Sequence, residues 1–142
     1  MVAHVETRVF ALAPEQVFDL VADVERYPEF LPMWQEAKVV SRSEDGYETE
    51  QQVGLGLLAE RFHTHTRLVR PCRIVVTSDD GLFEGFEIVW EFAPTEDDGC
   101  RVDCSLAFDV QSWLLRATIE PMLRTTALSM VAAFETRACQ LA

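Results

Sequence analysis

Residues 86–92 read FEIVWEF, and their apolar side chains fall at every second position. Successive side chains of a β-strand point to opposite faces of a sheet, so this alternation predicts a strand with one apolar face. That face carries Phe86, Ile88, Trp90 and Phe92. The segment 101–110 repeats the alternation, with Val102, Cys104, Leu106, Phe108 and Val110 on its apolar face. A sheet of such strands must bury one side against another element.

Five further segments are predicted to be strands, several of them separated by short runs of Asp, Glu and Gly. In chain order the full set is residues 2–11, 36–42, 47–55, 58–70, 73–78, 82–93 and 101–110. The separators at 44–46, 79–81 and 97–99 each end in glycine, which hairpin turns with a positive φ favour. Short connections between successive strands predict an antiparallel meander.

The C-terminal segment changes to a helical period at Ser112 and keeps it to Leu141. Its apolar positions are Leu115, Ile119, Met122, Leu123, Ala127, Met130, Val131, Phe134 and Leu141. We expect Pro121 to kink this helix, because the ring of proline displaces the carbonyl four residues earlier. No other element is large enough to cover the sheet. The sequence therefore predicts a single α+β domain over residues 1–142 in which six or seven strands grip one long helix.

The N-terminal segment predicts a half-buried strand followed by two short helices. The strand alternates Val5, Thr7 and Val9 with His4, Glu6 and Arg8. Pro14 suits the first turn of a helix, where its missing N–H costs nothing. Asp23 is placed to cap a second short helix.

The segment 24–34, VERYPEFLPMW, crowds apolar side chains around two prolines. Pro28 and Pro32 push the residues before them, Tyr27 and Leu31, toward extended geometry, so a stiff turn is expected. This turn is interpreted either as the lip of a ligand site or as a plug that closes the core.

The net charge of −12 weighs against binding to phosphate backbones, so no DNA partner is expected. No apolar run approaches the ~20 residues that span a bilayer, and the N-terminus alternates where a secretory signal would be basic and then apolar. These features favour a cytoplasmic protein. The four cysteines, Cys72, Cys100, Cys104 and Cys139, form no CxxC pair and are expected to be reduced and buried.

Neither a metal site nor a catalytic motif is indicated. Cys100 and Cys104 share a face, as do His63 and His65, but nothing in the spacing brings the two pairs together as zinc ligands. The histidines are interpreted as part of a solvated basic face with Arg61 and Arg67. Glu84 shares parity with Phe86, so two hypotheses stay open: an inward general base, or a strand-end carboxylate in water.

The order of these elements, with YPEFLP after the second helix, resembles the polyketide cyclase/dehydrase branch of the START-like, helix-grip superfamily. Within it the chain is most similar to coenzyme-Q-binding proteins and ribosome-association toxins. The most specific segments are VADVERYPEFLP at 21–32, WEFAP at 90–94, CRVDCSLAFDV at 100–110 and MVAAFETRA at 130–138. These relatives commonly carry a cysteine shortly after the second proline, where this chain has Met33 and Trp34. No role is therefore assigned to a thiol at that place.

The resemblance implies a curved sheet that leaves an apolar cavity against the helix. Thr49, Gln51, Thr64 and Thr66 are expected to point inward, where buried polar groups favour a wet or ligand-bearing interior. The predicted ligand-binding residues are Tyr27, Phe30, Leu31, Trp34, Gln51, Phe62, Thr64, Thr66, Phe86, Trp90, Phe108, Met122, Met130 and Phe134.

The resemblance favours a non-catalytic protein that carries a polyisoprenoid, ubiquinone-like quinone for respiration or quinone synthesis. No cofactor or metal is expected besides this lipid, and a transient contact with the inner membrane stays open. Two alternatives remain. One is a ribosome-association protein that binds the large subunit, a partner that the net charge disfavours. The other is an aromatase/cyclase-type enzyme in which Glu84 or Tyr47 is needed for turnover.

Overall fold

Seven strands form one antiparallel sheet in the computed structural model, which describes residues 1–141. The strands are β1 (Val2–Phe10), β2 (Trp34–Ser43), β3 (Gly46–Leu55), β4 (Leu58–Val69), β5 (Arg73–Ser78), β6 (Phe83–Pro94) and β7 (Cys100–Val110). Their spatial order is β1-β7-β6-β5-β4-β3-β2. Consecutive strands from β2 to β7 are neighbours, so the predicted meander is confirmed. β1 pairs with β7 at the edge of the sheet.

The helices are α1 (Pro14–Ala22), a 3-10 helix (Val24–Glu29), α2 (Trp113–Arg116) and α3 (Glu120–Leu141). Pro14 lies in the first turn of α1, as predicted, and the Gln16 side chain accepts a hydrogen bond from the Ala13 N–H at 3.1 Å. The buried side chains of α3 join the hydrophobic core with those of the sheet. No helix within residues 1–141 has the length and apolar character needed to cross a membrane.

Strand parity identifies the inner face of β4, β6 and β7 correctly. The even-numbered residues of β7 from Cys100 to Val110 are buried, and Trp90 and Phe92 of β6 face the same core. On β4, Phe62, Thr64 and Thr66 are buried while the residues between them are exposed. Alternation works here because each strand has one face on the core and one in water.

The two faces of β1 are reversed relative to the apolar pattern. Val5 is 75% exposed and Val9 is also exposed, whereas Glu6 and Arg8 lie on the side that faces α3. Arg8 pairs there with Glu135 of α3 at 2.8 Å. The buried ends of the strand, Val2 and Phe10, share parity with the charged residues, and these two anchors decide which face turns inward.

A bulge at the start of β6 changes the parity on which Glu84 was placed. The register with β7 shifts between Phe83 and Phe86, and Gly85 adopts a φ of 69°. Phe83 and Phe86 therefore both join the core or its edge, while Glu84 is exposed. An extra residue in one strand changes the direction of the side chains before it. The hypothesis that Glu84 is an inward general base is therefore wrong, and the hypothesis that it is a strand-end carboxylate in water is confirmed.

The glycines of the three predicted turns do not adopt a positive φ. In the third separator the positive φ of 63° belongs to Asp98, which tolerates the left-handed region better than most residues. Gly46 is instead required by close approach, because a Cβ atom there would lie 1.8 Å from the carbonyl oxygen of Thr66. The turn positions were predicted correctly, but the conformational reason was wrong for these glycines.

The predicted C-terminal helix consists of two helices. α2 ends at Arg116, residues 117–119 form a turn, and α3 begins at Glu120. Pro121 thus occupies the first turn of α3, where a missing N–H is tolerated. An interruption near Pro121 is confirmed, whereas the single helix that runs from Ser112 to Leu141 is wrong.

The first part of the segment 24–34, which carries the two prolines, is more helical than predicted. Tyr27 and Pro28 both lie inside the 3-10 helix, so Tyr27 is not extended. Asp23 precedes this helix without a side-chain capping bond. The tight i to i+3 bonding of a 3-10 helix accommodates a proline in a segment this short, and the chain reverses after it through Met33, whose φ is 69°.

Candidate functional site

A cavity of about 70 Å³ lies between the concave face of the sheet and the N-terminal half of α3. It is lined by Val24, Tyr27, Trp34, Tyr47, Gln51, Val53, Phe62, Thr64, Thr66, Ile74, Val76, Phe83, Phe86, Ile88, Trp90, Leu106, Phe108, Leu123, Thr126, Ala127 and Met130. Most of these side chains are apolar, and the polar ones are two tyrosines, three threonines and one glutamine. Ligand pockets usually measure roughly 300–1,000 Å³. A ligand larger than a few water-sized molecules therefore requires side chains or α3 to move.

Most of the predicted site residues line this cavity. Those that do are Tyr27, Trp34, Gln51, Phe62, Thr64, Thr66, Phe86, Trp90, Phe108 and Met130. Phe30, Leu31, Met122 and Phe134 do not line it but pack in or against the surrounding core. Helical and strand periodicity finds the inward face of an element, but it does not distinguish a residue at a void from one packed behind it.

The inward polar residues form a connected hydrogen-bond cluster on β2, β3 and β4. Trp34 donates from Nε1 to Oε1 of Gln51 at 2.7 Å, and Gln51 donates from Nε2 to the hydroxyls of Thr49 and Thr64 at 2.9 and 3.3 Å. The two threonine hydroxyls also bond to each other. The polar groups of this cluster satisfy one another. Thr49, Gln51 and Thr64 therefore give no evidence for the predicted wet or ligand-bearing interior.

Two tyrosines, the buried Tyr47 and the half-buried Tyr27, add phenol hydroxyls to the cavity wall. Tyr27 donates its hydroxyl to the carbonyl of Val21, and Tyr47 donates to the carbonyl of Ala22 at 2.7 Å. Burial raises the pKa of both phenols above the ordinary value. Both side chains are therefore neutral at pH 7. Tyr47 also neighbours Thr66 across the β3–β4 pair, which places two hydroxyl-bearing side chains on one wall.

The segment 24–34, called the proline-flanked turn below, closes one end of the core through aromatic contacts. Phe134 of α3 meets Tyr27, Phe30 and Trp90 edge-on, with ring centroids 5.1–5.3 Å apart. Leu31 is buried, and the guanidinium of Arg137 lies 5.2 Å from the ring centroid of Phe30. Edge-to-face aromatic packing stabilises such clusters beyond simple burial. This geometry resembles a plug over the core more than an open lip.

Several lining residues were missed by the sequence analysis. Phe83 was missed because the bulge at Gly85 changes its parity. Val53 and Ile88 lie on inward faces that the alternation does identify, but moderate-sized aliphatic residues were not singled out there. Leu123, Thr126 and Ala127 share the face of α3 that carries Met130, so helical spacing from Met130 could have found them.

The histidines do not form a basic face. His63 lies within 3.2 Å of Asp80 and 3.7 Å of Glu50, and both His63 and its neighbour His65 are exposed among carboxylates. Arg61, the adjacent cation, is likewise paired with Glu36 and Glu50. Their outward orientation is confirmed, whereas the basic character of this surface is wrong because β3 and the β5–β6 turn supply acidic partners.

The cysteines are free, but only two of them are buried. Cys100 and Cys104 lie in the core, where burial raises their thiol pKa to about 11 and about 12. Cys72 and Cys139 are exposed, so their predicted burial is wrong. Within residues 1–141 no group of three or more His, Cys, Asp or Glu residues is arranged to hold a metal ion.

The chain is similar in sequence to two kinds of known protein and in fold to a solved structure. The chain is 36% identical to the "Ribosome association toxin RatA" of Pseudomonas aeruginosa over 99% of both sequences. It is 29% identical to the mitochondrial "Coenzyme Q-binding protein COQ10 homolog B" of Xenopus laevis, over 96% of this chain and 58% of that protein. A START superfamily protein from Mycobacterium smegmatis superposes with a TM-score of 0.79 at 20% identity, over 99% of both chains.

The superposition with this solved structure shows the START-like fold. The family described as "Polyketide cyclase / dehydrase and lipid transport" matches residues 11–135, which include the proline-flanked turn, the sheet from β2 to β7 and most of α3. The chain belongs to this polyketide cyclase/dehydrase and lipid transport family.

Proposed function

We propose that the protein is a non-catalytic carrier that binds a polyisoprenoid quinone in the cavity between the sheet and α3. The observation that carries the proposal is the cavity wall, which is mainly apolar and has the hydroxyl-bearing residues Tyr47 and Thr66 paired on neighbouring strands at one side. An apolar enclosure with a few convergent polar groups suits a ligand that has a carbonyl-bearing ring and a hydrocarbon tail. Similarity to a coenzyme Q-binding protein supports the same ligand class.

The chemistry of the cavity wall supports carriage rather than catalysis. Among the described residues, none that lines the cavity is an Asp, Glu, His, Lys, Arg or Cys. The two lining tyrosines have raised pKa values, and each donates a hydrogen bond from its hydroxyl to a backbone carbonyl. General acid–base catalysis near neutral pH works best with a group whose pKa lies near the operating pH. Neither Tyr27 nor Tyr47 meets that condition.

The size of the cavity sets a condition on binding. A volume of about 70 Å³ does not hold a quinone ring with its tail, so the ligand must displace part of the wall. The part of the wall contributed by α3 is best suited to repack, because the stretch from Leu123 to Met130 contributes small or flexible side chains, among them Thr126, Ala127 and Met130. Methionine side chains adapt readily to irregular apolar surfaces.

Tryptophan emission provides a direct test. Trp34 and Trp90 line the cavity, whereas Trp113 is exposed, so a Trp113→Phe variant reports on the cavity alone. We expect titration with a short-tailed ubiquinone analogue to quench this variant and to raise its melting temperature, since a ligand bound only by the folded state stabilises it. If neither short- nor long-tailed quinones change emission or melting temperature, the proposal is wrong.

A cavity-filling pair separates specific binding from surface adsorption. Ala127 lines the cavity and Ala132, on the same helix, does not. Ala127→Met should occupy the void and weaken quinone binding at least about tenfold, at an overpacking cost of about 1–3 kcal/mol. Ala132→Met should bind as the wild type does. Equal quenching of both variants would show that the quinone binds elsewhere.

The second candidate function is ribosome association, and its support is the 36% identity to a relative of that name over nearly the full length of both chains. The net charge of −12 disfavours contact with rRNA, so a protein of the large subunit is the more compatible partner. The test is co-sedimentation with large subunits. Binding that persists above about 0.2 M salt would place this function ahead of quinone carriage.

A further inference from the structure

Five large apolar side chains stand exposed at one end of the molecule. Leu55, Leu57 and Leu58 form the tip of the β3–β4 hairpin, and Trp113 and Leu114 begin α2. Leu57 is fully exposed and Trp113 is 75% exposed. Scattered single apolar residues on a surface are ordinary, but a concentration on two connections at one end of a sheet marks an interaction site. These five residues are called the apolar tip below.

Sheet topology places both parts of the apolar tip at the same end. Consecutive strands from β3 to β7 are antiparallel, so the start of β4, the start of β6 and the end of β7 lie at the same end of the sheet. The β3–β4 hairpin leads into the first of these, and α2 follows the last. The Gln111 N–H donates to the carbonyl of Leu82 at 3.0 Å, which fixes the chain leading to α2 beside the β5–β6 loop.

The cavity reaches the same end of the molecule. Val53 and Phe62, which line it, lie on the two strands of the hairpin that carries the leucines. Phe83 is the first residue of β6, and Leu123 lies in the first turn of α3, shortly after α2. The apolar tip therefore lies at the end of the sheet to which the cavity extends.

The charge pattern indicates the chemistry of the occupant. Residues 53–59, VGLGLLA, and 110–115, VQSWLL, contain no charged side chain, although a quarter of the whole chain is charged. A phosphate-rich or strongly anionic partner would be repelled by the net charge of −12 and finds no cations in these segments. Leucine together with tryptophan suits insertion at the boundary between lipid head groups and acyl chains.

The small number of residues argues against a second copy of the chain as the occupant. A stable protein interface uses roughly 20–30 residues on each side, whereas the apolar tip offers five side chains on two connections. Shallow insertion into a bilayer needs no such area, because its strength scales with the apolar surface inserted, and a small surface gives a reversible contact.

We propose that the apolar tip docks the protein on the surface of an electrically neutral lipid bilayer, so that the cavity end faces the membrane. The inference rests on the proposed function, because a ligand that resides in a membrane must reach the cavity from the bilayer. The contact is driven by apolar insertion and is insensitive to salt, unlike binding through charged residues.

Flotation with vesicles of pure phosphatidylcholine, free of quinone, tests the surface directly. We expect the wild type to partition onto the vesicles, and Leu55→Ser/Leu57→Ser to lose at least about tenfold in partition coefficient. The matched control is Val5→Ser/Val9→Ser, which removes two exposed apolar side chains from β1 away from the apolar tip. The partition coefficient of this control should stay within about twofold of the wild-type value. The wild-type value should likewise change by less than about twofold between about 0.1 M and 0.5 M NaCl.

Trp113 supplies an independent readout on the same vesicles. Its emission should shift to the blue and be quenched by brominated acyl chains, and Trp113→Phe should remove this signal because Trp34 and Trp90 line the cavity. Circular dichroism and melting temperature show whether each variant is folded. The proposal is overturned if folded wild type does not partition, if the Val5/Val9 control loses as much as the hairpin variant, or if sedimentation shows a dimer that Leu55→Ser/Leu57→Ser dissociates.

Quinone titration without vesicles separates this proposal from the proposed function. Neither Leu55 nor Leu57 lines the cavity, so Leu55→Ser/Leu57→Ser should bind a short-tailed quinone within about twofold of wild type. If wild type partitions onto vesicles but binds no quinone, carriage fails and the docking surface stands. If it binds quinone but not vesicles, the docking surface fails and carriage stands.

Discussion

Trp34 and Gln51 join β2 to β3 inside the cavity wall through a 2.7 Å hydrogen bond from Nε1 to Oε1. The same glutamine uses its Nε2 to hold the hydroxyls of Thr49 and Thr64, so one buried amide organises three neighbours. A buried network that is fully satisfied is stable, but removing one member leaves its partner unpaired in an apolar environment. This relationship makes the wall sensitive to single changes at either residue.

Trp34→Phe should destabilise the fold by about 1–3 kcal/mol, because the carbonyl oxygen of Gln51 loses its donor while remaining buried. Urea denaturation measures this free energy. Trp113→Phe, the same substitution at an exposed position, should stay within about 0.5 kcal/mol of wild type. A Trp34→Phe/Gln51→Leu double variant should lose less than the sum of the single changes, and strict additivity would show that the bond carries no coupling.

The double variant Phe30→Ser/Leu31→Ser should have a clearly lower melting temperature than wild type and keep most of its quinone affinity. Leu31 is buried and Phe30 packs on Phe134, so the pair is expected to cost about 2–5 kcal/mol as a plug over the core. Melting temperature and quinone affinity are measured on the same preparation. An unchanged melting temperature together with faster quinone exchange would instead identify the turn as a lip.

Gly85→Ala should destabilise the fold by about 1–2 kcal/mol, because a residue with a Cβ atom is strained at a φ of 69°. The control is Gly81→Ala, four positions earlier. A Cβ atom meets nothing within 4 Å at either glycine, but only Gly85 has a positive φ. Comparable losses in the two variants would show that the conformation of the bulge is not the cause.

Glu6 should contribute stability that is lost in acid. Burial raises the pKa of Glu6, but hydrogen bonds to His4 and Arg8 outweigh it, so the folded pKa lies below the ordinary value of 4.5. The unfolded chain therefore binds the proton first as pH falls. The contribution is complete above about pH 4.5 and disappears as pH drops through the lowered folded pKa.

Glu6→Gln should accordingly show a smaller loss of unfolding free energy between about pH 5 and pH 3 than wild type. Glu84→Gln is the matched control, since Glu84 is exposed and has no ion pair among the residues that the structure describes. Its acid dependence should follow that of wild type. Urea midpoints at three pH values are sufficient, and identical slopes for Glu6→Gln and wild type would contradict the expected role of Glu6.

The sequence determined the fold class and most of the inner face of the sheet. Alternation along β4, β6 and β7 is a local consequence of the strand period, and it identified Phe62, Trp90 and Phe108 as inward residues without knowledge of any partner. The turns and the meander followed from short, polar connections. The net charge likewise needs only the composition.

Tertiary structure decided every feature that depends on what lies opposite a residue. β1 turns Glu6 and Arg8 toward α3 because Val2 and Phe10, which share their parity, are buried in the core, and the parity of β6 changes at Gly85 because of its register with β7. The separation of Met130, which lines the cavity, from Phe134, packed beside it, depends on the aromatic side chains contributed by the turn and the sheet. Periodicity records only the direction of a side chain, whereas a cavity exists where the chain brings too few atoms to fill the space.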